Sequence, residues 1–427
     1  MFQALKKSSP HRLFVIATLA IFSAAISMSL RVAISDSVRE EYLTEIDPAR
    51  SVTLMTEALG ISFFGFALSL FFGSLLLDFF GIRRVLAFAG LAFATGACFV
   101  IFSGSLASGM GVFWLIWFGM LLQGIGWGSV EAASNPLIAT IYPDDMIHRM
   151  NVLHAWWPAG IVVGGLWSVG AGLGNVDWRI VMAGVLIPSL TTTWLTLRSE
   201  FPKTARVTAG ISFKDMVLEI FRRPSFFIWF GAMFLTAASE LAPGQLVELV
   251  LTQTVGIRGI IILIYVSGMM FVFRHFAGSL SHRLSPVGLL WFSGLFAAVG
   301  LYLFSIATNP VLAILAATFW GAGVCFMWPT MVAQAAERYP NGGSWTIGLI
   351  GTAGALSIHF VLPVLGRIYD EAKLEAAGGE VAFAAASAAD VDAALRIAAE
   401  STFQTMALVP AALLFVFGGV WLMERKK

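Results

Sequence analysis

The sequence predicts an all-α membrane protein of twelve transmembrane helices in two six-helix bundles. Composition is the first ground. The 427 residues are 58% hydrophobic and 12% charged, with a mean hydropathy of +0.84, whereas a soluble domain carries roughly 25% charge. The second ground is a series of long apolar runs, since a hydrocarbon core of about 30 Å is crossed by about 20 helical residues. The third is an internal echo. Gly124-Ile125-Gly126 is followed eighteen residues on by Tyr142-Pro143, and Gly321-Ala322-Gly323 is followed eighteen residues on by Tyr339-Pro340. Gly73-Ser74-Leu75 and Gly90-Leu91 recur as Gly278-Ser279-Leu280 and Gly294-Leu295. Parallel duplication of a six-helix unit leaves such a pattern. Period-2 alternation is absent, and helices satisfy their own backbone in lipid, so strands are not expected.

In order, the spans fall at about 13–34, 54–77, 84–104, 112–141, 149–173, 178–197, 225–252, 257–281, 286–306, 310–336, 343–368 and 401–423. Span 1 follows Lys6, Lys7 and Arg12, as the core of a signal peptide would. No small-residue cleavage site follows it, and eleven more spans do, so it is assigned as a helix. Pro136 in span 4 frees a backbone carbonyl and allows a kink. Pro243-Gly244 in the middle of span 7 predicts a broken helix. The loop 198–224 separates an N-terminal bundle, 1–197, from a C-terminal bundle, 225–427, and Ile211–Phe221 is expected to form a short surface helix in it. The Ala-rich stretch 371–400 is expected to be an irregular insertion with a short amphipathic helix from about Ala388 to Ala399.

Charge distribution sets the orientation. With the N-terminus cytoplasmic, inner loops and tails hold 17 Lys and Arg, and outer segments hold 7. The excess places both termini inside, and the acidic stretch Asp36–Asp47 falls outside. The localisation expected is a bacterial-type inner (plasma) membrane. Net charge is +1, so no nucleic-acid partner is expected. Cys98 and Cys325 both lie in spans and imply no disulfide scaffold.

An ionisable residue in a span costs about 2.5 kcal/mol or more on insertion scales. Glu131 is such a residue, and Trp127, Glu131 and Asn135 recur at i, i+4, i+8 on one helix face. A carboxyl in a low-dielectric cavity can load and release a proton near neutral pH; a structural ion pair is the other reading. Arg31 stays charged in span 1 and needs an anion, either a protein carboxylate such as Glu131 or the substrate. Span 7 carries Glu240, Gln245 and Glu248, with Glu240 and Glu248 on one face. Span 5 brings Asn151, His154, Trp156, Trp157 and Pro158, and His154 is either a proton relay or an inter-helix hydrogen-bonder. Trp127, Trp156, Trp157 and Trp328 are candidate stacking platforms for a sugar ring, although most tryptophans in such a protein are interfacial or packed. His359 stands alone in span 11, and Arg274 near the inner end of span 8 is expected to serve structure or gating.

Between spans 2 and 3 stands Gly73-Ser-Leu-Leu-Leu-Asp78-Phe-Phe-Gly81-Ile-Arg83-Arg84. Gly73 allows close helix approach, Gly81 permits the turn, and Asp78 can pair with Arg84. This loop resembles the hallmark cytoplasmic loop of the major facilitator superfamily. The resemblance implies that Gly73, Asp78, Gly81, Arg83 and Arg84 are gating residues that latch the cytoplasmic side, with Asp78 facing the N-terminal end of helix 11. Glu131-Ala-Ala-Ser-Asn135-Pro136, Met150-Asn151, Trp328-Pro329-Thr330 and Gly366-Arg-Ile-Tyr-Asp370 resemble the fucose permease group of sugar–proton symporters. Glu131 then matches the helix-4 glutamate implicated in sugar binding and coupling. Span 1 departs from that group. It carries Arg31 and no acid between Ala24 and Ile34, and Arg31 resembles the helix-1 arginine of organic-anion members.

The leading expectation is proton-coupled symport of a sugar or sugar-like solute by alternating access. Arg31, Trp127, Glu131, Asn135, Asn151, His154, Trp157, Glu240, Gln245, Trp328 and His359 would bind substrate, and Glu131 and Glu240 would carry the proton. One alternative is an organic anion such as a sugar acid, with Arg31 as its ligand. Another is a non-transporting receptor on the same scaffold. No nucleophile triad, metal cluster or phosphate loop is present in the sequence, so neither an enzyme nor a metal or cofactor is expected. The lipid bilayer, the proton and a small solute are the expected partners of a monomer.

Overall fold

The computed structural model describes residues 8–142, 146–203, 212–274, 284–339 and 343–424; the side chains of Asp78, Asn151 and Glu248 lie outside the described part. Twelve helical spans follow one another: α1 Pro10–Val38, α2 Ser51–Phe80, α3 Ile82–Ile101, α4 Met110–Ile141, α5 Met146–Leu173, α6 in two pieces (Trp178–Ala183 and Leu186–Leu197), α7 Phe226–Val255, α8 Gly259–Arg274, α9 Pro286–Ser305, α10 in two pieces (α10a Pro310–Val324 and α10b Met327–Arg338), α11 Gly343–Ala377 and α12 Ala388–Glu424. Among the described residues, eleven helical segments are long and apolar enough to cross a membrane, and α8 is a shorter apolar helix. No strand occurs among the described residues. The even number of spans brings the start of α1 and the end of α12 to one face, called here the terminal face; the opposite one is the far face.

Lipid offers no hydrophobic drive between helices, so close packing depends on small residues at the contacts. A side chain at Gly124 of α4 would run into the Ser62 backbone of α2, and a Cβ at Gly73 would come 2.8 Å from the Ala132 Cβ. Gly81 has φ +78° and turns the chain between α2 and α3, as its place in the loop motif predicts. The two halves meet along two seams, α2 against α11 and α5 against α8. Along the first, Phe71 lies 5.2 Å from the Trp345 ring toward the terminal face, and Asp370 reaches Thr53 toward the far face.

The linker helix runs over Phe213–Arg222, close to its expected place. Ser212 caps it: its hydroxyl accepts from the Asp215 amide at 3.2 Å and donates to the Asp215 carboxylate at 2.7 Å. That donated bond holds the Asp215 carboxyl below its ordinary value.

Four expectations are corrected. The helix of span 1 continues past Val38 through a π-helical turn, Arg39–Leu43, and ends at Ile46. Helix α7 is not broken at Pro243-Gly244 and runs unbroken from Phe226 to Val255. Pro243 cannot donate to the Ser239 carbonyl, and the Trp320 indole N–H donates to that carbonyl at 3.0 Å instead. The break falls in α10 instead, between Val324 and Met327. The stretch 371–400 is mostly helical: α11 extends to Ala377, a short helix covers Glu380–Ala384, and residues 388–399 open the single 37-residue helix α12.

Candidate functional site

Residues on α4 and α5 form a polar chain inside the N-terminal half. Glu131 and Asn135 stand one turn apart on α4, and the Asn135 amide nitrogen donates to the Glu131 carboxylate at 3.1 Å. His154 of α5 lies with Nε2 3.0 Å from the Asn135 carbonyl oxygen. An oxygen only accepts, so Nε2 carries the proton and donates. All three side chains are partly buried. Sequence spacing predicts the first link; the second joins two helices and requires the fold. The Asn151 side chain lies outside the described part.

Aromatic rings stack beside this chain. Phe66 lies 4.2 Å from Trp127 with planes 3° apart, and Trp157 covers Trp127 at 4.5 Å and 20°. Two protein rings, Phe66 and Trp157, therefore already stack on Trp127, where the sequence leads us to expect a sugar ring. What it offers is Nε1, a buried donor with no partner. The column continues across the seam to Trp328, 6.5 Å from Phe66. Trp156 is exposed on the bundle surface and meets Phe22 edge-on, so it is not part of the column.

Arg31 is 1% exposed. Its Nε donates to the Ser27 carbonyl of its own helix at 3.3 Å, and its Nη1 is buried without a partner. No carboxylate pairs with it among the described residues, which corrects the expected pairing with Glu131. The register explains why. Ser27 donates to Gln123 of α4 at 2.7 Å, and α1 and α4 run in opposite directions. Arg31 lies four residues beyond that contact toward the far face, and Glu131 lies eight residues toward the terminal face. At 1.5 Å per residue the two stand about 18 Å apart in depth.

In the C-terminal half, Glu240 of α7 is buried and faces Arg274 of α8, with 3.6 Å between Oε1 and Nη2. Its other oxygen accepts the Trp328 backbone N–H at 3.1 Å, and Arg274 Nε donates to the Cys325 carbonyl at 3.2 Å. Gln245 is completely buried, and neither its amide oxygen nor its nitrogen has a partner; the Ser267 hydroxyl of α8 is in the same condition. His359 of α11 packs against Phe64, and its Nδ1 donates to the Gly60 carbonyl of α2 at 3.2 Å. It clasps the α2–α11 seam.

The Gly73–Arg84 loop lies at the terminal face. Arg83 donates to the Leu197 carbonyl at the end of α6, and Ser74 sits 3.0 Å from where a Cβ of Gly348 would stand. The C-terminal end of α2 therefore lies beside the start of α11, as the resemblance implies. The pairing of Asp78 with Arg84 lies outside the described part.

Residue reasoning left the far face unassigned, and two ties cross the halves there. Asp370 of α11 accepts from the Thr53 amide at 2.8 Å and the Thr53 hydroxyl at 2.7 Å, in the first turn of α2. Lys373 holds the other carboxylate oxygen at 2.7 Å, and both charged groups are buried. Arg258, at the start of α8, donates to the Ser168 hydroxyl of α5 and the Ala33 carbonyl of α1, each at 3.2 Å. The carboxylate of Gly366-Arg-Ile-Tyr-Asp370 was the available signal; its partner Thr53 lies 317 residues away.

The sequence profile of the Major Facilitator Superfamily matches residues 13–368. No match to a curated protein sequence is found. Among solved structures, a D-xylose–proton symporter superposes with a TM-score of 0.73 at 15% identity, over 96% of this chain and 97% of that one. A partially occluded inward-open xylose transporter from E. coli gives 0.71 at 14%, over 96% and 99%. A human organic anion transporter gives 0.64 at 13%, over 96% and 100%. Identities this low establish the fold only, while the profile spans most of the chain. With twelve apolar helices arranged as two seamed halves, the chain belongs to the Major Facilitator Superfamily and is a membrane transporter rather than an enzyme.

Proposed function

We propose that this transporter moves a small hydroxyl-bearing, sugar-like solute together with a proton, with Glu131 as the proton-loading group. The observation that carries this reading is the Glu131–Asn135–His154 chain. A carboxylate inside a bundle is expensive to carry through a closed state, and a proton on it removes that cost. Asn135 orients the carboxylate from one side and is itself oriented by His154. His154 lies eight residues from the start of α5, about 12 Å along the helix, and gives the proton a short route to the terminal face. With the positive-inside orientation that face is cytoplasmic. Trp127 Nε1 and the Gln245 amide are buried groups without partners, and buried polar groups normally have them. A hydroxyl both donates and accepts, so it suits a mixed set of donors and acceptors.

The test uses purified protein in liposomes with an imposed pH gradient. Glu131→Gln should abolish gradient-driven accumulation while leaving substrate exchange at equilibrium intact. Accumulation that persists in this variant overturns the coupling role of Glu131.

One observation favours a second reading, transport of an organic anion such as a sugar acid. Arg31 is a buried cation with no carboxylate beside it among the described residues, and a bound anion would supply the missing charge.

A further inference from the structure

Helix α10 breaks at a point the sequence explains. Pro329 lacks an N–H, so the Cys325 carbonyl four residues back loses its intrahelical donor, and the proline ring crowds it. The chain turns at Cys325-Phe326 and restarts as α10b at Met327. Among the backbone groups the break leaves without intrahelical partners are the Cys325 carbonyl at the end of the first piece and the Trp328 N–H in the first turn of the second. Arg274 donates to the carbonyl at 3.2 Å, and Glu240 accepts from the N–H at 3.1 Å. The two side chains come from different helices and face each other across the break at 3.6 Å.

The neighbourhood explains why this matters for transport. Trp328 follows the break directly. A Cβ at Gly354 of α11 would meet its ring at 2.7 Å, and the ring faces Phe66 of the other half at 6.5 Å. Fixing the Trp328 backbone therefore fixes the aromatic column across the seam. Cys325 is fully buried at the same point.

We propose that Glu240 and Arg274 are positioning residues that close a hinge in α10. They stand in for backbone hydrogen bonds missing at the break, the Cys325 carbonyl's because Pro329 has no N–H and the Trp328 N–H's because the chain turns, and they hold α10b, with Trp328, against the N-terminal half. This assigns Glu240 a role other than proton carriage, and it holds whichever solute the protein moves.

Cys325 supplies the readout. In a Cys98→Ser background it is the only thiol. Alkylation of the full-length protein by N-ethylmaleimide then reports opening of the break, and no substrate is needed. Glu240→Leu with Arg274→Leu removes both charges together, so no lone buried charge remains to unfold the protein. This double variant should be alkylated at least about tenfold faster, a change that the loss of two hydrogen bonds of ordinary net strength supports. Adding Pro329→Ala restores the N–H four residues after Cys325 and lets the helix close its own ladder. The rate should then return to that of the Cys98→Ser protein. Unchanged alkylation in the double variant overturns the proposal, as does a rate that stays high with Pro329→Ala. If the double variant does not fold, the triple variant decides. Monodisperse protein with slow alkylation supports the hinge, and failure of the triple variant as well overturns it.

Discussion

Arg31 poses the sharpest question at the scale of single residues. A guanidinium 1% exposed, with one hydrogen bond to its own helix, is held at a cost of several kcal/mol unless an anion joins it. Ligand-free Arg31→Leu protein should therefore be more stable than the parent, by about 1 kcal/mol or more, read as a higher melting temperature. A lower melting temperature would show that Arg31 is already compensated and would remove the ground for anion binding. The same variant should lose the stabilisation that hexuronates give, if the substrate is a sugar acid. The i, i+4 spacing of Glu131 and Asn135 was legible in the sequence because both lie on one helix. Their link to His154 and the absence of a link to Arg31 were not, since each depends on the register between helices. One contact, Ser27 to Gln123, sets that register for Arg31.

At the scale of elements, prolines show where sequence reading stops. Pro243 and Pro329 each free a carbonyl four residues back, yet α7 stays whole and α10 breaks. Beside Pro243, the Trp320 indole supplies the missing donor from 81 residues away in the chain. Beside Pro329, the substitute donor comes from Arg274, and the chain turns. A sequence names the prolines but not the side chains that will stand opposite them. Trp320→Phe should destabilise the protein by about 1–3 kcal/mol by leaving the Ser239 carbonyl buried and unpaired. Adding Pro243→Ala should recover part of that loss, because an alanine at this position regains the N–H. Thermal melting of the two variants checks both. No recovery in the double variant would mean that Trp320 acts through packing alone.

The whole molecule was the most legible level. Apolar run lengths and the internal echo predicted twelve spans in two halves, and those features are legible because lipid constrains every span in the same way. The state of the transporter was not legible. In this structure the two halves are tied together at the far face by Asp370 on Thr53 and by Arg258 on Ser168 and Ala33. The first tie places a carboxylate on the opening turn of a helix, where the amide groups are free and the dipole favours it. Asp370→Ala should shift the protein toward a state open at the far face. Spin labels at Arg50→Cys and Glu371→Cys, with Cys98 and Cys325 replaced by Ser, should then report a larger long-distance population. An unchanged distance distribution would remove Asp370 from the gate.

Helices α11 and α12 are 35 and 37 residues long, about 52 and 55 Å at 1.5 Å per residue, well beyond a hydrocarbon core of about 30 Å. Their surplus lies at the far face, joined by the short helix Glu380–Ala384, with Asp370 and Lys373 at its base. The base of this surplus is also the clasp between the halves, so the surplus is a handle. An antibody fragment that grips it at the far face should slow turnover as an inhibitor that no concentration of substrate displaces.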